Sequence, residues 1–149
     1  MSSEIEKPLI IAHRGASALA PENTLAAFRR AIIDGAEGIE FDVRLSKDGA
    51  PVVFHDADLK RVGAKNGLIG DYTSEELGKI DVGSWFNRRK PDKADEKFSR
   101  ETVPTLQETL NFLRSFQGLI YVELKCGENE AERLSKTVCE TIADDELFP

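Results

Sequence analysis

Apolar residues change their spacing several times along the chain, and each change marks an element. Leu9-Ile10-Ile11-Ala12 is a continuous apolar run that stops at His13-Arg14-Gly15. It predicts a short buried strand entering a glycine-bearing loop. Pro21-Glu22-Asn23-Thr24 places a proline and an acid where a helix opens. Leu25, Phe28, Ile32 and Ala36 then lie on one helical face, and Gly35 and Gly38 end it. From Ile39 the period becomes two: Ile39, Phe41, Val43 and Leu45 alternate with Glu40, Asp42, Arg44 and Ser46, which predicts a strand. Asp48-Gly49 is a turn signal, and Val52-Val53-Phe54 is a second short strand ending at His55. Local rules make this a hairpin, and a two-residue turn sets Asp42 directly across from His55. The alternative is a parallel return without a helix, confined to residues 46–51. Either version brings Asp42 and His55 to the same end of the sheet.

Residues 56–101 are less regular. Thr73-Ser74-Glu75-Glu76-Leu77 reads as a capping box opening a short helix. Trp85 and Phe86 are either a lid over a pocket or packing beneath a long loop, and Asn87 to Glu101 is charged enough to read as a solvated loop. Thr105 and Glu108 form a second capping box, with Leu106, Leu110 and Leu113 as the buried helical face. Along the next strand, Ile120, Val122 and Leu124 alternate with Tyr121, Glu123 and Lys125. Ala131, Leu134, Val138 and Ile142 give a final amphipathic helix. Strands alternating with amphipathic helices predict an α/β fold with a mainly parallel sheet. In such folds chemistry collects where strands end and loops begin.

Composition narrows the partners. The 149 residues fit about one domain. A net charge of −7 argues against a nucleic-acid or anionic-membrane partner, because both want a basic face. No run approaches the ~18 apolar residues of a membrane span. The polar start from Met1 to Pro8 lacks the features of a secretory signal, so a cytoplasmic protein is expected. Cys126 and Cys139 have neither disulfide density nor zinc spacing and are expected to pack as small apolar residues.

The two histidines share one context, since His13 and His55 are each the first polar residue after an apolar strand. Loop hydrogen bonds alone explain one such histidine; two together can supply an acid and a base near neutrality. Glu40 and Asp42, at i and i+2, point to one face of a strand, roughly 6.6 Å apart along the backbone. A wet strand face is the ordinary reading. Strands of an α/β sheet are usually apolar on both faces, however, and buried acids need compensating charge. Glu123 and Lys125 repeat the pattern, either as an ion pair within the sheet or as a third oxygen ligand beside a cation for a substrate anion. An all-carboxylate set favours a hard cation, Mg²⁺ or Ca²⁺. Arg14, beside His13, has the shape for bidentate phosphate contact. A metal, two cationic side chains and an acid/base pair are the equipment of phosphoryl transfer.

In order along the chain stand His13-Arg14-Gly15, Pro21-Glu22-Asn23-Thr24, Glu40-Phe41-Asp42, His55-Asp56, Pro104-Thr105-Leu106 and Glu123-Leu124-Lys125. This ordered set resembles the glycerophosphodiester phosphodiesterase family. The resemblance implies a TIM-type (β/α)₈ barrel that hydrolyses glycerophosphodiesters, small soluble substrates, to an alcohol and glycerol 3-phosphate. It implies that Glu40, Asp42 and Glu123 bind the divalent cation, that His13 and His55 are the acid/base pair, and that Arg14 and Lys125 contact the phosphate. A complete barrel of this type needs ~250 residues. With four strand candidates, and a stop at Leu147-Phe148-Pro149 just after a helix, residues 1–149 are expected to form about the first half of the barrel, with an insertion near 56–101. Open sheet edges would then favour self-association. Two competing readings stand beside this one: a related phospholipase-C-like phosphodiesterase, and a fragment that keeps the metal and anion site without turnover.

Overall fold

The computed structural model describes residues 7–63, 65–127 and 129–144. The polar start at Met1–Glu6 and the stop at Leu147–Pro149 lie outside the described residues. The element order is β1 (Ile11–His13), α1 (Leu25–Ile33), β2 (Gly38–Leu45), β3 (Pro51–Val53), α2 (Ser74–Leu77), α3 (Ser84–Arg89), α4 (Leu106–Leu113), β4 (Leu119–Leu124) and α5 (Ala131–Ala143). β2 is the central strand. It pairs in parallel with β1, setting His13 beside Glu40, and in parallel with β4, setting Asp42 beside Glu123. Parallel neighbours point to the same face of a sheet. Glu40, Asp42, Glu123 and His13 therefore share one face, and Ile39, Phe41 and Val43 point to the other. That second face is roofed by Phe28 and Ala31 of α1, Leu106, Leu110 and Leu113 of α4, and Leu134 and Val138 of α5. Among the described residues no helix is long and apolar enough to cross a membrane.

The β2–β3 connection is an antiparallel hairpin, not a parallel return. Its register differs by one residue from the expected one. Val43 faces Val53, and Ser46 N–H donates to the Ala50 carbonyl, so the loop has three residues, Lys47, Asp48 and Gly49. Gly49 closes it at φ +79°, a left-handed conformation open to glycine. Phe54 N–H consequently donates to the Asp42 carbonyl at 2.9 Å, and His55 falls one position past the point across from Asp42. The shared end of the sheet is as expected.

Four other expectations need correction. The Leu9–Ala12 run is not a buried strand: Leu9 and Ile10 are exposed and Ala12 is half-buried, because β1 pairs only with β2 among the described strands. The buried face of α1 is Ala27, Phe28 and Ala31, while Ile32 is exposed. Gly38 lies inside β2 instead of ending α1; Gly35, at φ +81°, follows the helix end. Cys126 and Cys139 are exposed free thiols, not packing residues. Cys139 sits one residue, about 100° of helix, beyond Val138, which α5 buries.

The segment after His55 is ordered around its own apolar cluster. Val52, Phe54, Leu59, Val62, Ile69, Leu77, Ile80, Val82 and Val103 are buried together, with Trp85 packed against them. Phe86 is fully buried and meets Phe98 edge-on at 5.5 Å. The aromatic pair is thus packing under the insertion, and 87–101 is a chain of short helical turns on an exposed surface rather than an irregular loop.

Candidate active site

The parallel registers converge three acids on one face of the sheet, at the level where β1 ends and β4 nears its end. One carboxylate oxygen from each of Glu40, Asp42 and Glu123 lies within 4.8 Å of the others. Asp42 is completely buried. Its placement is fixed by Asn23, whose amide nitrogen donates to Asp42 Oδ2 at 2.8 Å and whose carbonyl oxygen accepts from Asp42 N–H. Asn23 reaches that position in a left-handed conformation, φ +56°, which asparagine tolerates better than most residues. Arg14 is left-handed as well, at φ +59°. Its backbone N–H donates to Glu40 Oε2 at 2.9 Å, and its Nε faces Asp42 Oδ2 at 3.2 Å. Two non-glycine residues in this sparsely populated region, both touching one carboxylate cluster, mark a built site.

Lys125 stands over the cluster, bonded to Glu123 and 3.4 Å from Asp42 Oδ1. That contact raises its pKa and lowers that of Glu123. Glu40 goes the other way. Burial pushes its pKa up and the neighbouring Asp42 charge adds to the rise, against the opposing hydrogen bond from Arg14 N–H. Glu40 Oε1 and Asp42 Oδ1 are buried without a hydrogen-bond partner. Asp42 Oδ1 keeps only the ion-pair contact with Lys125, and buried carboxylate oxygens without a full hydrogen bond are costly and rare. Converging oxygen donors short of positive charge fit a hard divalent cation, Mg²⁺ or Ca²⁺, whose preferred ligands are carboxylate oxygens.

The histidines flank this cluster. His13, 65% exposed at its side chain, has Nε2 at 3.8 Å from Glu40 Oε2. His55 is held more tightly, its Nδ1 2.7 Å from Asp56 Oδ1. All seven residues expected from the sequence, His13, Arg14, Glu40, Asp42, His55, Glu123 and Lys125, belong to this end of the sheet. Sequence reasoning missed Glu22, Asn23, Arg44, Asp56 and Arg61. Glu22 and Asn23 fall in a motif that reads as a helix start and belongs to the ordered set carrying the resemblance, with no role given to either side chain. Arg44 was read as the polar half of an alternation, yet its Nε donates to the His55 carbonyl at 2.8 Å and its Nη1 to the Lys125 carbonyl at 3.3 Å. Burial lowers its pKa.

Residues 13–143 match the model of the glycerophosphoryl diester phosphodiesterase family. A glycerophosphodiester phosphodiesterase of Caldanaerobacter subterraneus is 45% identical over 81% of this chain and 46% of its own length. Human glycerophosphodiester phosphodiesterase 1 is 37% identical over 87% of this chain and 38% of its own. Among solved structures, an Oleispira antarctica phosphodiesterase in complex with the product sn-glycerol-3-phosphate superposes with a TM-score of 0.84 at 37% identity, covering 95% of this chain and 53% of that one. The chain thus spans about half the length of the relatives it matches, and its helix-roofed parallel sheet is about half of a TIM-type (β/α)₈ barrel. By sequence and by fold, this chain belongs to the glycerophosphoryl diester phosphodiesterase family.

Proposed function

We propose that the protein carries the catalytic face of a metal-dependent glycerophosphodiester hydrolase, releasing an alcohol and sn-glycerol 3-phosphate. The observation that carries this reading is the convergence of Glu40, Asp42 and Glu123, two of them with buried oxygens that lack a hydrogen-bond partner, beside His13. These three residues would hold Mg²⁺ or Ca²⁺. Such an ion supplies charge to polarise a phosphoryl oxygen. Arg14 and Lys125 then bind the phosphate: each sits against the carboxylates and carries a charge that a phosphate oxygen can share. One histidine takes the proton from a substrate glycerol hydroxyl as that oxygen attacks phosphorus. The other gives a proton to the departing alcohol oxygen. Water then opens the resulting cyclic phosphate, with the two histidines exchanging roles.

Residues 1–149 form the N-terminal part of one domain in this reading, with about 56–101 as an insertion beside the site. The acidic charge and the small soluble substrate support a cytoplasmic setting. The test is release of glycerol 3-phosphate from glycerophosphocholine, with and without EDTA. Turnover lost to EDTA and restored by Mg²⁺ or Ca²⁺ is expected. One observation favours a second reading: the chain spans about half of its relatives' length. Stabilisation by the cation without turnover at any substrate concentration would assign it as a metal- and anion-binding half.

A further inference from the structure

His55 is held at both ends. Arg44 fixes its carbonyl, as described, and Asp56 fixes its ring through Nδ1. Asp56 does not end there. Its second oxygen, Oδ2, accepts from Arg61 Nε at 2.6 Å. Arg61 Nη1 and Nη2 reach across to Glu22 Oε2 and Oε1 at 2.8 and 2.7 Å, a bidentate pair. Glu22 Oε1 also accepts from Arg14 Nη1 at 2.9 Å. Arg61 in addition lies over the Trp85 ring, 5.8 Å from its centroid. An unbroken chain of charge-assisted hydrogen bonds therefore runs from His55 through Asp56, Arg61 and Glu22 to Arg14, anchored on an aromatic of the insertion.

We infer that Asp56, Arg61 and Glu22 are positioning residues that fix the tautomer of His55 and the aim of Arg14, so that the insertion aligns the acid/base group and the phosphate-binding group as one unit. An ionised carboxylate only accepts hydrogen bonds. Asp56 takes one on each oxygen, so His55 must carry its proton on Nδ1, which leaves Nε2 with the free lone pair. Burial opposes ionisation of Asp56, but Arg61 and His55 together hold its pKa below the ordinary value. Glu22 is lowered in the same sense by Arg61 and Arg14, again against burial. Arg61 cannot be replaced by lysine in this role, because only a guanidinium donates through Nε to one acid and through both Nη groups to another. The inference rests on the proposed function for what His55 and Arg14 do. It does not depend on that function for which atoms carry protons.

The test reads the tautomer directly, by long-range ¹H–¹⁵N correlation spectra of the histidine rings at a pH above their titration. His13 and His55 are the only histidines, so a His13→Gln spectrum assigns both. The expected result for the wild-type chain is a protonated Nδ1 and a bare Nε2 on His55. Asp56→Asn is nearly isosteric. Arg61 still demands an acceptor, so the new amide must turn its oxygen to Arg61 and its NH₂ to His55. The His55 proton is then expected to move to Nε2. Adding Arg61→Met removes that demand, lets the amide rotate, and is expected to restore protonated Nδ1 in part. A bare Nδ1 in the wild-type chain, or an Asp56→Asn spectrum unchanged from it, overturns the inference. Where the wild-type chain turns over glycerophosphocholine, Asp56→Asn is expected to lower kcat by about 10²–10⁴ with little change in KM. Arg61→Lys is expected to raise KM through loss of the aim of Arg14. A chain that shows the expected tautomers but no turnover would sink the proposed function and leave the positioning network standing.

Discussion

Asn23 ties backbone conformation to site chemistry in a single residue. Its left-handed φ places the amide against the buried Asp42, and both polar ends of that amide are used. Asn23→Gly retains the conformational freedom and deletes the hydrogen bonds, leaving Asp42 buried with less support. A loss of about 1.5–3 kcal/mol in unfolding free energy is expected, the range for hydrogen bonds to a charged group. Asn23→Ala should lose roughly 1 kcal/mol more from left-handed strain. Urea denaturation measures both, and a glycine variant within 0.5 kcal/mol of wild type would show that Asp42 does not depend on Asn23. The histidines are expected to behave oppositely. His13→Ala and His55→Ala touch no core cluster and should leave the fold intact while cutting turnover by about 10²–10⁴. Near-wild-type rates from either purified variant would remove that residue from the acid/base pair. What the sequence made legible at this scale were residues whose chemistry announces itself: two histidines at strand ends and acids at period two. Glu22, Asn23 and Arg61 were not legible, because their roles arise from contacts across up to 39 positions, between α1's entry, β2 and the insertion.

The elements show the same division between local pattern and assembled geometry. Both Thr/Glu capping boxes, Thr73 with Glu76 and Thr105 with Glu108, form as their three-residue spacing predicts. The hairpin register does not follow from its Asp-Gly pair, because Asp48 is committed elsewhere. Its Oδ1 accepts from Ser46 Oγ and from Ser74 N–H at 2.9 Å, and its Oδ2 from Ser74 Oγ at 2.9 Å. One carboxylate thereby pins the β2–β3 loop to the first turn of α2, and the loop lengthens to three residues around it. These hydrogen bonds, Ser46 first, hold the Asp48 pKa down to about 2. A depressed carboxylate stabilises the fold above its unfolded pKa, near 4, and that stability is lost as pH falls toward 2. Because Asp48 is exposed, the contribution is discounted for solvent screening to about 1 kcal/mol. Asp48→Asn should therefore lower Tm by about 2–4 °C at pH 6, and the gap from wild type should close as pH drops below about 3. A gap of equal size at both pH values would mean that the charge contributes nothing.

At the scale of the molecule, the same parallel sheet that gathers the site also leaves it open. The face bearing Ile39, Phe41 and Val43 is roofed by three helices, but β1 and β4 each pair only with β2 among the described strands. β4 presents Leu119, Tyr121 and Leu124 to solvent, and Leu9 and Ile10 precede β1 in the exposed state. Leu119 and Tyr121 stand in register beside Gly38 and Glu40, on the face that carries the carboxylates. An exposed strand edge with unpaired N–H and C=O groups, next to bare apolar side chains, is a template for another strand. The partner available to a purified chain is a second copy, and edge-to-edge pairing would cover both features at once. Sedimentation velocity across a dilution series is expected to show a dimer or larger species that dissociates as concentration falls. Tyr121→Lys places a charge on that edge, the device by which natural sheets discourage pairing, and should shift the distribution toward monomer without moving Leu134 or Val138 beneath the sheet. A wild-type chain that sediments as a stable monomer at every concentration would show that the open edge is tolerated.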